Sequence, residues 1–401
     1  MRDEWQTKKL GELCEIELGK TPARAIKAYW DEKRETNNVW LSIADLLNAE
    51  DNVALDSREY LSDKGAAISK IVPKGTLLVS FKLTLGRLAF AGSDLYTNEA
   101  IAALTIFNER ELSKEFLFYF LHFFDWVKAA ENDVKLKGMT LNKAKLKQMN
   151  VHFPKSIPEQ RRIVGILDEA FEGIANAKAN AVKNLRNSEA IFESQLQSVF
   201  AQRGEGWKQK TLEEIATTFG RGKSRHRPRN AKHLYGGKYP FVQTGDIRNA
   251  DHVITEYSQT YSEAGLSQSK LWPKGTICIT IAANIAETAI LGFDACFPDS
   301  IIGVVANSKE ADVGFIEYLL QSFKVQLQAM GKGSAQDNIN MGTFENKRFP
   351  FPPVAEQKEM VSKLDDLHEE TQRLANIYEG KLAALNALKK SLLHQAFSGK
   401  L

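Results

Sequence analysis

Pro73-Lys74-Gly75-Thr76-Leu77-Leu78 and Pro273-Lys274-Gly275-Thr276-Ile277-Cys278 are one pattern occurring twice, about 200 residues apart. Each is a Pro-x-Gly turn followed by a run of apolar or β-branched residues, which reads as a buried strand. Outward from this pair the correspondence keeps its order. Upstream, Trp40-Leu41-Ser42-Ile43-Ala44-Asp45-Leu46 matches Phe241-Val242-Gln243-Thr244-Gly245-Asp246-Ile247, and Trp5-Gln6-Thr7-Lys8 matches Trp207-Lys208-Gln209-Lys210. Downstream, Glu115-Phe116-Leu117-Phe118-Tyr119-Phe120 pairs with Gly314-Phe315-Ile316-Glu317-Tyr318-Leu319. Both halves close on a proline turn and an acid-glutamine pair: Phe153-Pro154 with Pro158-Glu159-Gln160, and Phe351-Pro352-Pro353 with Glu356-Gln357. Segments held in one order over this length of chain mark a tandem duplication, with a period far longer than that of solenoid repeats.

Each copy has two textures. Residues 1–156 and 206–353 mix short β-branched runs with Gly and Pro punctuation. Phe116 to Trp126 and Phe315 to Gln328 read there as amphipathic helices, so each segment is expected to form an α+β domain. Residues 157–205 and 354–401 instead carry heptads. Val164, Phe171, Lys178, Leu185, Phe192 and Val199 alternate with Leu167, Ile174, Ala181 and Ser188 in the first. Leu364, Thr371, Tyr378, Leu385 and Leu392 alternate with Met360, Leu367, Leu374, Lys381 and Leu388 in the second. Each predicts a helix on the order of 60 Å long. A lone helix of this length would leave its stripe exposed, and the seam is too long for its own small domain to cover. The two are therefore expected to pair as an antiparallel coiled coil between the globular domains.

Composition narrows the function. With 401 residues, 43% hydrophobic and 26% charged, the chain has the composition of a folded, multidomain globular protein. A net charge of +3 means that any nucleic-acid contact must come from local patches. Cys14, Cys278 and Cys296 are scattered, without disulfide or metal-ligand spacing, and no apolar leader or run of roughly 18 apolar residues is present. A reducing cytoplasm is the expected location. Enzymatic signatures fail on spacing. Gly222-Lys223-Ser224 has Thr217 where a phosphate-binding loop needs its first glycine, and Pro352-Pro353 lacks the flanking Asn/Asp and aromatic residue of amino-methyltransferases. Two readings remain, a DNA-reading module and a coiled-coil scaffold bridging two proteins. Divergent, basic, polar loops on the duplicated domains favour the first.

Over essentially its whole length, the order of domain, long helix, domain, long helix resembles the specificity subunits of type I restriction-modification systems. The motifs that carry the resemblance are Gly19-Lys20-Thr21-Pro22, the two strand-turns at Trp40 to Leu46 and Tyr239 to Ile247, Thr97-Asn98-Glu99-Ala100-Ile101, and the Pro-x-x-Glu-Gln approach to each helix. The second copy departs at Gly222-Lys223-Ser224-Arg225 and at Pro298-Asp299-Ser300, which fits domains that recognise different sequences. The resemblance implies a non-catalytic subunit on double-stranded DNA, each domain reading one part of a split, asymmetric target. It also implies that the paired helices set the gap and hold two methyltransferase subunits, with restriction subunits in systems that carry them. No cofactor is then expected in this chain, since S-adenosylmethionine, and ATP and Mg²⁺ in restriction, belong to the partners.

DNA contacts are expected where cations or short polar side chains cluster without apolar periodicity. The densest stretch runs from Arg221 to His233 and contributes Arg221, Lys223, Arg225, Arg227 and Arg229. The corresponding turn of the first copy contributes Lys20, Arg24 and Lys27. Lys137 and Lys143 flank a Gly-Met-Thr-Leu-Asn stretch whose counterpart supplies Asn338 and Asn340. Base-reading candidates, short or forked side chains beside strands, are Ser42, Lys82, Thr84, Arg87, Gln243, Thr244, Arg248 and Asn284. Asp45 and Asp246 are expected to brace turns, and Trp40 to sit in the core.

Overall fold

Leu77, Leu78, Val79 and Ser80 are all buried, but in two different places. Leu77 and Val79 lie in a cluster with Phe116, Leu117 and Leu104, whereas Leu78 lies in a second cluster with Val39, Leu41, Ala89 and Ile101. A strand with side chains alternating into two cores must be apolar on both faces, hence the unbroken run. The second copy repeats the arrangement, with Ile277 and Ile279 among Phe315 and Ile316, and Cys278 among Val242, Ile247 and Trp272. All three cysteines are free and buried, and burial pushes the Cys14 thiol up to about 12.

The structure is a computed structural model that describes residues 4–49, 51–131, 134–135, 138–201, 204–225, 228, 230–282, 285–331 and 339–401. The chain divides into two units: Met1–Asn180 with Lys381–Leu401, and Ala181–Gly380. In the first, a five-stranded sheet has the order Cys14–Leu18, Ile101–Ile106, Leu77–Ser80, Leu88–Ala91, Val53–Ala54, antiparallel except for the last pair. In the second, Ala216–Arg221, Ile301–Ala306, Ile277–Thr280, Thr288–Leu291 and Val253–Ile254 take the same order and the same directions. Each domain closes by pairing its first strand with its last, Trp5–Lys9 with Asn150–Pro154 and Lys208–Lys210 with Phe349–Phe351. The fold is α+β, as the texture of the sequence predicts.

The domain helices differ from expectation. Lys114–Phe123 starts on a Ser113 cap and Val313–Ser322 on an Asp312 cap, and each is followed by a separate helix, Trp126–Ala129 or Lys324–Gly331. Neither is amphipathic over its middle, since Phe116 through Leu121 and Phe315 through Leu320 are buried without interruption. The reason is that each is sandwiched, with the sheet on one side and a long helix on the other.

The long helices run unbroken over Ile157–Ala201 and Val354–Phe397. Within the first unit, Arg162 donates to the Leu401 carbonyl, Lys389 lies over the Phe171 ring, and Lys178 donates to Asn386. One helix ascends as the other descends, so the pairing is antiparallel. The Lys178–Asn386 bond fills one of the polar interruptions of the heptads. Within the second unit Phe192 meets His368, beside the buried Ser188 and Thr371. The seam fails in the second helix, where Lys381 and Leu388 are both exposed. Leu388 is 46% exposed, and the buried positions beyond it are Leu393, Ala396 and Phe397. There the helix turns its face to the domain, and the Phe397 ring packs against Phe116, Phe120 and Phe123.

The glutamine of each Glu-Gln pair fastens helix to domain. Gln160 is fully buried; its amide donates to the carbonyls of Glu111 and Pro154, and its oxygen accepts from the Ser113 N–H. Gln357 repeats all three bonds with Glu310, Pro352 and Asp312. No helix of the described residues is long and apolar enough to cross a membrane, and none of their His, Cys, Asp and Glu side chains form a metal-binding group.

Candidate nucleic-acid interface

Two motifs that are far apart in the sequence form one structural feature. The Gly19 N–H donates to Ile101 O and the Lys20 N–H to Thr97 O, seating the Gly-Lys-Thr-Pro turn on the start of the Ile101–Ile106 strand. A Cβ on Gly19 would stand 2.2 Å from Thr97 O, so only glycine permits the approach. Gly222 repeats the contact with Ile301 O, and Lys223 with Phe297 O, in the second unit. In the turn Lys20 is exposed, Thr21 half-buried and Pro22 buried. Thr21 donates to Glu99. Burial pushes the Glu99 carboxyl up, but the Thr21 hydroxyl, with Lys82 and Arg24 nearby, holds it below the usual range.

The second feature is the loop between Leu77–Ser80 and Leu88–Ala91. Ser80 Oγ accepts from the Arg87 N–H at 2.9 Å and donates to Thr84 O, while the Gly86 N–H closes on Ser80 O at 2.8 Å. This loop presents the exposed Thr84 and Arg87 and the half-buried Lys82. Its strand Lys82–Leu83 pairs with Gly138–Thr140, which pairs with Val134–Lys135, so the lysine-rich stretch lies directly beside it. Lys143 is exposed in the helix that follows, capped by Asn142. In the second unit the same loop uses Thr280 for Ser80 and Ala286 for Gly86, and puts Glu287 where Arg87 stands.

Several expected readers have work inside the fold. Arg24 makes two hydrogen bonds to Glu59 and stacks over Trp30 and Trp40, which commits its guanidinium fork. Ser42 caps the Ile43–Leu47 helix; its N–H and Oγ both donate to Asp45, which also accepts from Ser57. Gln243 caps Thr244–Arg248 with Asp246 in the same way. Asn340 caps Met341–Glu345 as Asn142 caps its counterpart. Asp45 and Asp246 are thus braces, and Trp40 is buried in the core, its Nε1 donating to Lys20 O. Thr244 is half-buried in the first turn of that helix, and Arg248 faces a cavity of about 690 Å³ with Glu287 and Lys324.

In the basic loop, Arg221 donates from Nε to Asp299 O, and Lys223 and Arg225 are exposed. Lys20 and Lys27 are exposed in the first copy, Lys20 reaching Ile68 O. Lys137, Arg227, Arg229, Asn284 and Asn338 lie outside the described residues. One cation was not anticipated: Lys270 lies 3.6 Å over the Trp272 ring, and burial, with Lys223 close by, pushes its pKa down. Its only mark in the sequence is its register with Lys70, which instead pairs with Glu17.

Comparison with known proteins adds the relationship. The family described as the type I restriction modification DNA specificity domain matches this chain at residues 2–184 and 204–379, once in each half. The MjaIX type I restriction enzyme specificity subunit of Methanocaldococcus jannaschii is 22% identical over 428 residues, covering 99% of this chain and 94% of its own. The EcoKI specificity subunit of Escherichia coli K12 is 24% identical over 206 residues, 49% of this chain and 44% of that one. Among solved structures, a chain from a type I R-M system studied for complex assembly and conformational transition superposes with a TM-score of 0.80 at 18% identity, covering 99% of this chain and 98% of that one. The HsdS subunit of Thermoanaerobacter tengcongensis gives 0.61 at 18% identity, with 99% and 97% covered. Two matches to one family, in register with a duplicated fold, decide the relationship: the chain belongs to the type I restriction-modification DNA specificity family.

Proposed function

We propose that each globular domain reads one part of a split, asymmetric DNA target while a partner performs the chemistry. The observation that carries this reading is that one scaffold, turn plus loop, is built twice with different side chains at its tips. Lys20-Thr21-Pro22 becomes Lys223-Ser224-Arg225, and Arg87 becomes Glu287, on identical backbone bonding. Unlike side chains at the same places on a shared scaffold are what two readers of unlike half-sites require, because base edges are read by side chains on rigid supports. Lys20, Lys27, Lys143, Lys223 and Lys270 serve as phosphate contacts, and Lys82, Thr84, Arg87 and Thr244 as base readers.

The partners of this reading are double-stranded DNA and two methyltransferase subunits, with restriction subunits where the system includes them. The paired helices set the unread gap, a rigid spacer being needed for readers about one 34 Å turn apart. S-adenosylmethionine, ATP and Mg²⁺ act in the partners, and this chain contributes no catalytic group. An open groove of about 1150 Å³ in the second unit, lined by Ile191, Val199, Trp207, Met360 and Leu364, is an apolar surface suited to a protein partner. The test is genome-wide mapping of methylated adenines in cells expressing this chain with its neighbouring methyltransferase. A split, asymmetric motif that vanishes with this chain establishes the reading. Methylation by an active partner that persists unchanged without it makes the chain a scaffold.

A further inference from the structure

Leu83 is 51% exposed and holds a backbone φ of +62°. Each property is unfavourable for folding: a branched aliphatic side chain gains nothing in water, and the left-handed region crowds its Cβ. Glycine or asparagine would relieve both. The surroundings keep the leucine where it is. Leu83 pairs with Met139 across the Lys82–Leu83 and Gly138–Thr140 strands. The Ser80 hydroxyl ties down both Thr84 and Arg87, and Trp126, itself buried, backs the loop so closely that a Cβ on Gly86 would meet its ring at 2.4 Å. A rigid β-ribbon therefore presents an apolar tip flanked by Lys82, Thr84 and Arg87. A β-ribbon fits the major groove, and the one apolar group displayed on base edges there is the C5-methyl of thymine, next to the O4 acceptor.

We propose that Leu83 is a specificity-determining residue that recognises a thymine methyl group in the half-site read by the first domain. The inference rests on the DNA-reading function above. Lys82 and Arg87 supply the charge that a hydrocarbon needs beside it to be drawn onto a polyanion, and Thr84 a donor for the neighbouring acceptor.

The test uses the assembled complex of this chain with its methyltransferase and synthetic duplexes of the mapped target. Each thymine is replaced in turn by uracil, which removes only the methyl. One uracil duplex should bind the wild-type complex about fourfold more weakly, the loss expected for one buried methyl. The complex carrying Leu83→Ala should bind the natural duplex at least that weakly and should be indifferent to the same uracil. Its thermal melting should match wild type, since alanine keeps the Cβ and its backbone strain and only an exposed side chain is trimmed. No uracil in the half-site read by the first domain weakening wild-type binding, or equal uracil penalties in wild type and L83A, overturns the proposal and leaves DNA reading intact. Failure of the wild-type complex to prefer its target over a scrambled duplex overturns DNA reading itself.

Discussion

A buried ion pair marks the sharpest difference between the two copies. Glu317 is fully buried, its carboxylate 2.6 Å from His252 Nδ1 and accepting from Thr288 and Gln321. The counterparts in the first copy are Phe118, Asn52 and Leu88, and Phe118 stacks on Phe90. Asn52 and His252 both sit at φ +62°, so His252→Asn removes the charge without new backbone strain. That substitution leaves a buried carboxylate with only neutral donors and should cost about 3–5 kcal/mol in chemical denaturation. Adding Thr288→Leu and Glu317→Phe should restore the stability, because well-packed apolar groups commonly replace a buried pair at no loss. Burial pushes the His252 pKa down, but Glu317, with Asp365 and Asp251 near, raises it above the ordinary histidine value. A raised folded-state pKa gives stability that is complete below about 6.5 and is lost as pH rises through the folded-state value. The gap in melting temperature between wild type and the triple variant should therefore shift against wild type between pH 6 and pH 8; a pH-independent gap would refute it.

Among elements, the buried glutamines join what the prolines separate. Gln160 satisfies one N–H and two carbonyls that the turn leaves unpaired, and Gln357 does the same. Replacement by leucine keeps the volume but strands all three groups, with an expected loss of about 2–3 kcal/mol at either site. Glutamate keeps the acceptor but sets a buried carboxylate against two carbonyl oxygens, so it should cost more than leucine. A leucine variant as stable as wild type would show that water takes over the bonds. This lock also explains why the Glu-Gln pair is conspicuous in the sequence although Glu159 and Glu356 make unrelated contacts, with Arg162 and with Trp207.

For the whole molecule, the first unit is assembled from two separate stretches of chain, whereas the second is continuous. The first needs residues 381–401 to bury Leu393, Ala396 and Phe397 against its own helix Lys114–Phe123. Deleting 381–401 should thus strip hydrogen-exchange protection from Leu77–Ser80 while sparing Ile277–Thr280. Equal protection in both strands would contradict this division. Removing one heptad from both long helices should keep both half-sites of the methylation motif and alter the gap between them. An unchanged gap would end the ruler role.

The sequence by itself determined the duplication, the α+β character and the long helices, because hydrophobic period and proline punctuation are local properties. Heptad positions from Val164 to Ser188 are legible for the same reason. It could not show where the seam ends, since Leu388 and Leu393 are equally apolar and only the neighbouring Phe116 and Phe123 decide between them. Nor could it separate readers from braces. Arg24 and Glu59, Thr21 and Glu99, and Asp45 and Ser57 are distant in the chain, so their bonds exist only once the sheet has brought them together. A free cation and a paired one have the same letter; the tertiary structure alone decides which remains available, because pairing depends on distance in space and not along the chain.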